Sequence, residues 1–178
     1  MGDQLTAKDW LDQGLKTLAK SGFTALKAEP LAKTMGVSRG SFYWHFADIG
    51  AFHAAILKRW REVAAEAIIA NVEAAAGGDE PLAVLLRRVF SERLALERAV
   101  RSWATSDGEA RYAVMAIDRR RLDYVEGLIR DRGVGPDIAQ TRAQILYWAF
   151  LGYALSDRPL SKTQAEAVTG ELVRMATG

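Results

Sequence analysis

Glu29-Pro-Leu-Ala-Lys-Thr-Met-Gly-Val-Ser-Arg-Gly-Ser-Phe-Tyr-Trp-His-Phe46 is the stretch on which the reading of this 178-residue chain turns. Two short helices can cross steeply only if the residue at their contact is small and the turn between them reverses tightly. Ala32 supplies the small contact, and Gly36, four residues on, takes a positive φ at low cost. Leu31, Met35, Val37 and Phe42 then fall on the inner faces. Ser38 stands where an N-cap belongs, its side chain expected to accept from the backbone N–H near Ser41. The start of the second helix is therefore expected to be exposed, with Arg39, Gly40 and Ser41 on its first turn. Such an end can enter the major groove of DNA: Arg39 suits a guanine edge or a phosphate, Gly40 allows close backbone approach, and Ser41 donates to either.

Spacing alone also fits a tight helical hairpin in a protein of another kind. The next residues bear on that choice. Phe42 and Phe46, four apart, share one face and read as core. Tyr43, Trp44 and His45 then project elsewhere, where a phenol, an indole N–H and an imidazole can each donate to phosphate oxygens. His45 also reads as an ordinary surface histidine, as does His53. With two histidines and no cysteine in the chain, no metal site is expected.

Val37-Ser-Arg-Gly-Ser-Phe-Tyr-Trp-His-Phe46 resembles the recognition helix of the tetracycline-repressor (TetR) family of transcription regulators. The likeness extends upstream through Gly22-Phe23, Ala25-Leu26, Leu31-Ala32 and Met35-Gly36. More weakly, Glu97–Ala104, Asp118–Leu122 and Arg142–Tyr147 are similar to one subgroup of these regulators. The resemblance implies an all-α fold of about nine helices: a three-helix DNA-binding domain over residues 1–47 and a helical effector-binding and dimerisation domain over 48–178. It implies that Tyr43, Trp44 and His45 contact the DNA backbone and that Arg39 and Ser41 lie nearest base edges. One position departs from the pattern. Where the family usually carries a phosphate-binding Lys at the start of the fourth helix, this chain has Ile49, followed by Gly50. Lys27, ahead of the second helix, either compensates or is a solvated surface lysine.

Outward from this segment, strand-like alternation is nearly absent, and Ala, Leu, Arg and Glu dominate. A first helix is expected from an N-cap at Thr6 to Lys20, stopped by Gly22, with Trp10, Leu11, Leu15 and Leu18 as its apolar stripe. Short helices follow near 29–35 and 39–45. A long one runs from Asp48 to Ala75, broken by Gly77-Gly78, and Asp79-Glu80-Pro81 reads as the next start. Helices are then expected near 81–98, 99–106, 108–132, 137–156 and 161–176. Residues 1–61 hold nine Lys/Arg against five Asp/Glu, a balance of +4, whereas 62–178 hold 15 against 17, a balance of −2. Basicity is thus concentrated at the end expected to meet phosphates.

The chain has no cysteine, which fits a reducing cytoplasm. Its most apolar stretch, Ile145–Leu155, falls short of the about 20 residues that span a bilayer. No phosphate loop, serine elbow or histidine–carboxylate pair is present, so no catalytic residues or cofactors are expected.

The aromatic content of residues 82–176 has two readings, plain core or the wall of a cavity for an apolar or amphipathic effector of the kind the resemblance implies. Phe90, Trp103, Tyr112, Met115, Tyr147 and Trp148 are the candidate lining residues. The helix near 137–156 is apolar on more than one face, and with the last helix it suits a four-helix interface across a two-fold axis. Leu146, Phe150, Leu151, Tyr153, Val168 and Leu172 are the candidate interface residues. The expected partners are an operator in double-stranded DNA, a small-molecule effector and a second copy of the chain, with no membrane. The resulting expectation is a ligand-released repressor acting on a pseudo-palindromic site. The alternatives are an activator of the same family and a helical interaction protein without an effector.

Overall fold

A computed structural model describes residues 5–75, 80–91 and 94–178; the expected break at Gly77-Gly78 and the start at Asp79 lie outside them. Among the described residues the chain is all-helical, with no strand. It packs as two units, residues 1–62 with 95–115 and residues 63–94 with 116–178. Residues of the long helix through Glu62 and a later helix both pack with the N-terminal core.

In the first unit, α1 (Ala7–Ser21) opens with a capping box: Asp9 N–H donates to the Thr6 hydroxyl and the Asp9 carboxylate accepts from Thr6 N–H. The Thr6 hydroxyl, donating to the Asp9 carboxylate at 2.6 Å, and then the Thr6 N–H hold that carboxyl below its ordinary pKa. The helix ends at Gly22, whose φ of 77° only glycine adopts freely. A 3-10 turn (Phe23–Ala25) leads to α2 (Ala28–Thr34), and Gly36 at φ 68° reverses the chain into α3 (Arg39–Tyr43). Asp48 caps α4 (Ile49–Arg61), accepting from Ala51 N–H at 2.8 Å.

Trp10, Leu18, Leu26, Leu31, Phe42, Phe52, Ile56 and Trp60 form the centre of this unit, each 0–1% exposed. Phe42 meets Trp10 edge-on at 5.3 Å and Phe52 at 5.2 Å. At Gly14, a Cβ would come within 2.4 Å of Ile56 Cδ1, so α1 and α4 approach there only because the residue is glycine. Arg59 Nε donates to Asp12 at 3.0 Å and ties the same two helices together.

Instead of a single helix over 81–98, the chain forms α6 (Pro81–Ser91) and a separate α7 (Ala95–Trp103). The two lie in different units, α7 packing along α1. Trp103 stacks on Phe23 at 4.3 Å, and the buried Glu97 accepts from Arg101 Nε at 2.8 Å. Buried positions Leu82, Leu86 and Phe90 are followed in helical phase by Glu97 and Val100. No Gly or Pro in the sequence between Ser91 and Ala95 marks the break.

After α4, a π-helical turn (Glu62–Glu66) continues directly into α5 (Ala67–Ala75). In the second unit, α5, α6, the later part of α8 (Gly108–Arg130), α9 (Pro136–Leu155) and α10 (Lys162–Thr177) surround Leu82, Leu86, Phe90, Ile129, Leu146 and Phe150. Ser161 and Gln164 form a second capping box at the start of α10. Arg142 of α9 donates to the Ala176 and Gly178 carbonyls at 3.0 and 2.8 Å, supplying partners that the end of a helix lacks. Among the described residues no helix is long and apolar enough to cross a membrane.

Candidate nucleic-acid interface

The surface around α3 is built on Phe42. With Phe42 and Phe46 buried, the five-residue helix has no freedom to rotate, and its other side chains must face outward. Arg39 and Gly40 are exposed on its first turn, and Ser41 is half-buried. Tyr43 is 45% exposed and Trp44, just past the helix, is 85% exposed. His45 is half-buried, while Lys27, the residue preceding α2, is exposed. All eight positions singled out in the sequence therefore belong to one unit.

Two details differ from the sequence expectation or sharpen it. Ser38 holds the N-cap position, with extended φ and ψ of −72° and 152°, yet its side chain makes no cap bond; the Ser41 N–H donates to the Ser38 carbonyl at 3.0 Å instead. The Ser38 hydroxyl thus has no part in holding the helix start. Arg39 is not a lone cation: its Nη2 donates to the Tyr43 hydroxyl at 3.1 Å, and its guanidinium lies 5.6 Å from the ring centre. One turn of helix aligns these residues, so a guanidinium and a phenol are presented together on the exposed side. That hydrogen bond also raises the Arg39 pKa above its already high ordinary value.

At Gly40, a Cβ would meet only Ser38 Oγ, at an ordinary 3.6 Å. The fold therefore tolerates a side chain there, and its absence keeps the outer surface low. Ile49, the first residue of α4, is 37% exposed where a phosphate-binding cation was expected from the resemblance.

The six candidate lining residues divide evenly between the two units. Trp103, Tyr112 and Met115 belong to the first unit and Phe90, Tyr147 and Trp148 to the second. Tyr112, Met115 and Trp148 are 72%, 61% and 62% exposed, whereas Phe90, Trp103 and Tyr147 are buried. Trp103 lines an open groove of about 580 Å³ with Leu18, Phe23, Thr24, Arg98 and Ser102. Tyr147 donates to Asp118 at 2.5 Å, and burial pushes its phenol well above the usual tyrosine range.

The interface candidates are corrected in part. Leu146 and Phe150 point into their own unit's core, and Leu151, Tyr153, Val168 and Leu172 pack half-buried against it. The apolar surface left over on α9 is another stripe: Ile138, Thr141, Ile145, Trp148, Gly152 and Leu155, all exposed. Their alternating three- and four-residue steps mark one helix face, but the buried Ala139, Ala143, Leu146 and Phe150 are spaced the same way, so spacing alone does not separate the two sets.

Residues 11–56 match the family model of bacterial regulatory proteins, tetR family. No curated protein matches the sequence. Among solved structures, the reduced form of NemR from E. coli superposes with a TM-score of 0.75 at 18% identity, covering 95% of this chain and 96% of that one. A TetR-family transcriptional regulator from Rhodococcus sp. gives 0.71 at 16%, covering 97% and 98%. The multidrug binding protein EbrR, complexed with imidazole, gives 0.60 at 22%, covering 96% of each chain. An all-helical chain whose N-terminal helix-turn-helix presents Arg39, Tyr43 and Trp44 to solvent is a DNA-binding transcription regulator. Its residues 11–56 are the part that carries the tetR-family regulatory-protein pattern.

Proposed function

We propose that the chain is a homodimeric cytoplasmic repressor, released from a pseudo-palindromic operator by a small-molecule effector. The observation that carries this reading is the outward set Arg39, Tyr43 and Trp44 on one rigidly anchored turn. Arg39 reads a base edge or phosphate and Ser41 a base edge, while Tyr43, Trp44, His45 and Lys27 hold the backbone.

Dimerisation is supported by the exposed α9 stripe, since large apolar side chains repeated along one helix mark a surface that another protein covers. Two-fold symmetry then sets two recognition helices about one DNA turn, ~34 Å, apart. The effector belongs to the apolar or amphipathic class, a reading supported by the likeness to a multidrug binding protein. Without cysteine, the chain cannot answer to thiol oxidation. Effector binding acts through the continuous helical run from Ile49 to Ala75, with a coupling of about 1–3 kcal/mol.

Gel-shift titration against the DNA upstream of its own gene, and against duplexes selected from a random pool, tests the reading. A retarded complex that a two-fold symmetric site competes away is the expected result. Failure to shift any duplex at low salt would sink it.

A further inference from the structure

The long helix contains a defect that DNA reading does not by itself require. Its buried side chains run Phe52, Ile56, Leu57 and Trp60, then Ala65, Ile69 and Val72. The step from Trp60 to Ala65 is five residues where an α-helix takes three or four, and it falls on the π turn Glu62–Glu66. A π turn holds one extra residue and leaves backbone groups outside the regular ladder.

Two arginines of α8 hold this turn. Arg121 Nη2 donates to the Ala64 carbonyl at 2.9 Å, and Arg120 grips the Glu66 carboxylate with Nε at 3.2 Å and Nη2 at 3.3 Å. Arg121 is itself steadied by the Phe150 ring, 5.2 Å from its guanidinium, and by a hydrogen bond with Tyr147. The sequence here nearly repeats itself one residue out of step: Ala64-Ala65 and Ile68-Ile69 offer the same side chain to either register. Only the third pair differs, Val72 being buried and Asn71 exposed.

We propose that Arg121 is a positioning residue that selects the π register by holding the Ala64 carbonyl. Releasing it lets the turn revert to α-helix and lets α5 slide by one residue. Ala64, Ile68 and Asn71 then take the places of Ala65, Ile69 and Val72. Each register shift of one residue moves a helical side chain about 1.5 Å along the axis and about 100° around it. Burial of Asn71 opposes the slide, since an amide leaving water without a partner is unfavourable, and the π register is the resting state. Its consequence for DNA rests on the repressor reading; the register itself does not.

The chain has no cysteine, so single thiols report on it cleanly. Ile68→Cys and Ile69→Cys are each placed in the unaltered chain and in Arg121→Met/Asn71→Val, and their modification by a maleimide is timed. In the unaltered chain Cys at 69 reacts about tenfold more slowly than Cys at 68; in the double variant the order reverses. An unchanged order overturns the proposal. So does fast reaction at both positions, which marks local unfolding. Should the double variant not fold, Asn71→Val alone, an exposed substitution, must narrow the ratio, and no change there also overturns the proposal. Operator affinity falls about tenfold in the double variant, while dimer mass is unchanged. If the unaltered chain binds no duplex, the repressor reading fails and the thiol ratio still decides the register.

Discussion

Trp44 and Trp148 are both largely in solvent, at 85% and 62% exposure, yet their surroundings make them different kinds of site. Trp44 ends a short helix among Arg39, Tyr43 and His45, every one of which carries a polar donor. Trp148 stands on α9 between Ile145 and Gly152, in line with Ile138 and Leu155. An exposed aromatic among donors suits phosphates and groove edges; one in an apolar stripe suits a surface of its own kind. The neighbours, more than the exposure, say what each tryptophan meets.

The strongest way to break this contrast is to charge the apolar stripe. Ile145→Asp with Trp148→Asp is expected to weaken dimerisation by more than about a hundredfold, read by light scattering after gel filtration. Both side chains are exposed, so the circular dichroism of the monomer should be unchanged. A variant that stays dimeric at micromolar concentration would place the interface elsewhere.

Next in size is the polar surface. Arg39→Ala with Tyr43→Ala should lose about tenfold to a hundredfold in operator affinity, measured by fluorescence anisotropy, with the dimer intact. Loss of dimer together with DNA binding would mean that the two surfaces are not independent.

A smaller effect probes the interior behind the stripe. Tyr147→Phe leaves the Asp118 carboxylate without its 2.5 Å donor and should cost about 1–3 kcal/mol in urea unfolding, while DNA affinity of the folded protein is retained. An unaltered urea midpoint would mean that Asp118 is satisfied without the phenol. The smallest effect sharpens the DNA side. Ile49→Lys restores a cation at the head of α4 and should steepen the dependence of log affinity on log salt by about one unit. An unchanged slope would place position 49 away from the phosphates.

Much of the N-terminal unit was legible because its signals are local. Thr6 and Asp9 are three apart and cap a helix by themselves; Gly22 and Gly36 sit where positive φ is needed; Phe42 and Phe46 share a face at any rotation of so short a helix. Ser38 was misread because an N-cap position can be filled without the side chain bonding anything. The second unit was harder. Its α9 is apolar on more than one face, so Leu146 and Phe150 could not be told from Ile145 and Trp148 until the core was placed. The break between Ser91 and Ala95 leaves the helical phase of the buried positions intact, and the near-repeat Ala64-Ala65…Ile68-Ile69 hides the π turn for the same reason.

Sequence alone determined that the chain is helical, that residues 29–46 form a helix-turn-helix, and which side chains its second helix turns outward. Those properties follow from propensity, capping and spacing within a few residues. Only the tertiary structure decided which side of α9 is left uncovered, that α7 joins the N-terminal unit, and that Arg120 and Arg121 grip the turn at Glu62–Glu66. These depend on contacts between residues far apart in the chain, such as Phe23 with Trp103 and Ala64 with Arg121, for which a single chain carries no periodic mark. Trp44 therefore showed its outward, polar setting in the sequence, and Trp148 showed its exposed, apolar one only once its helix had packed.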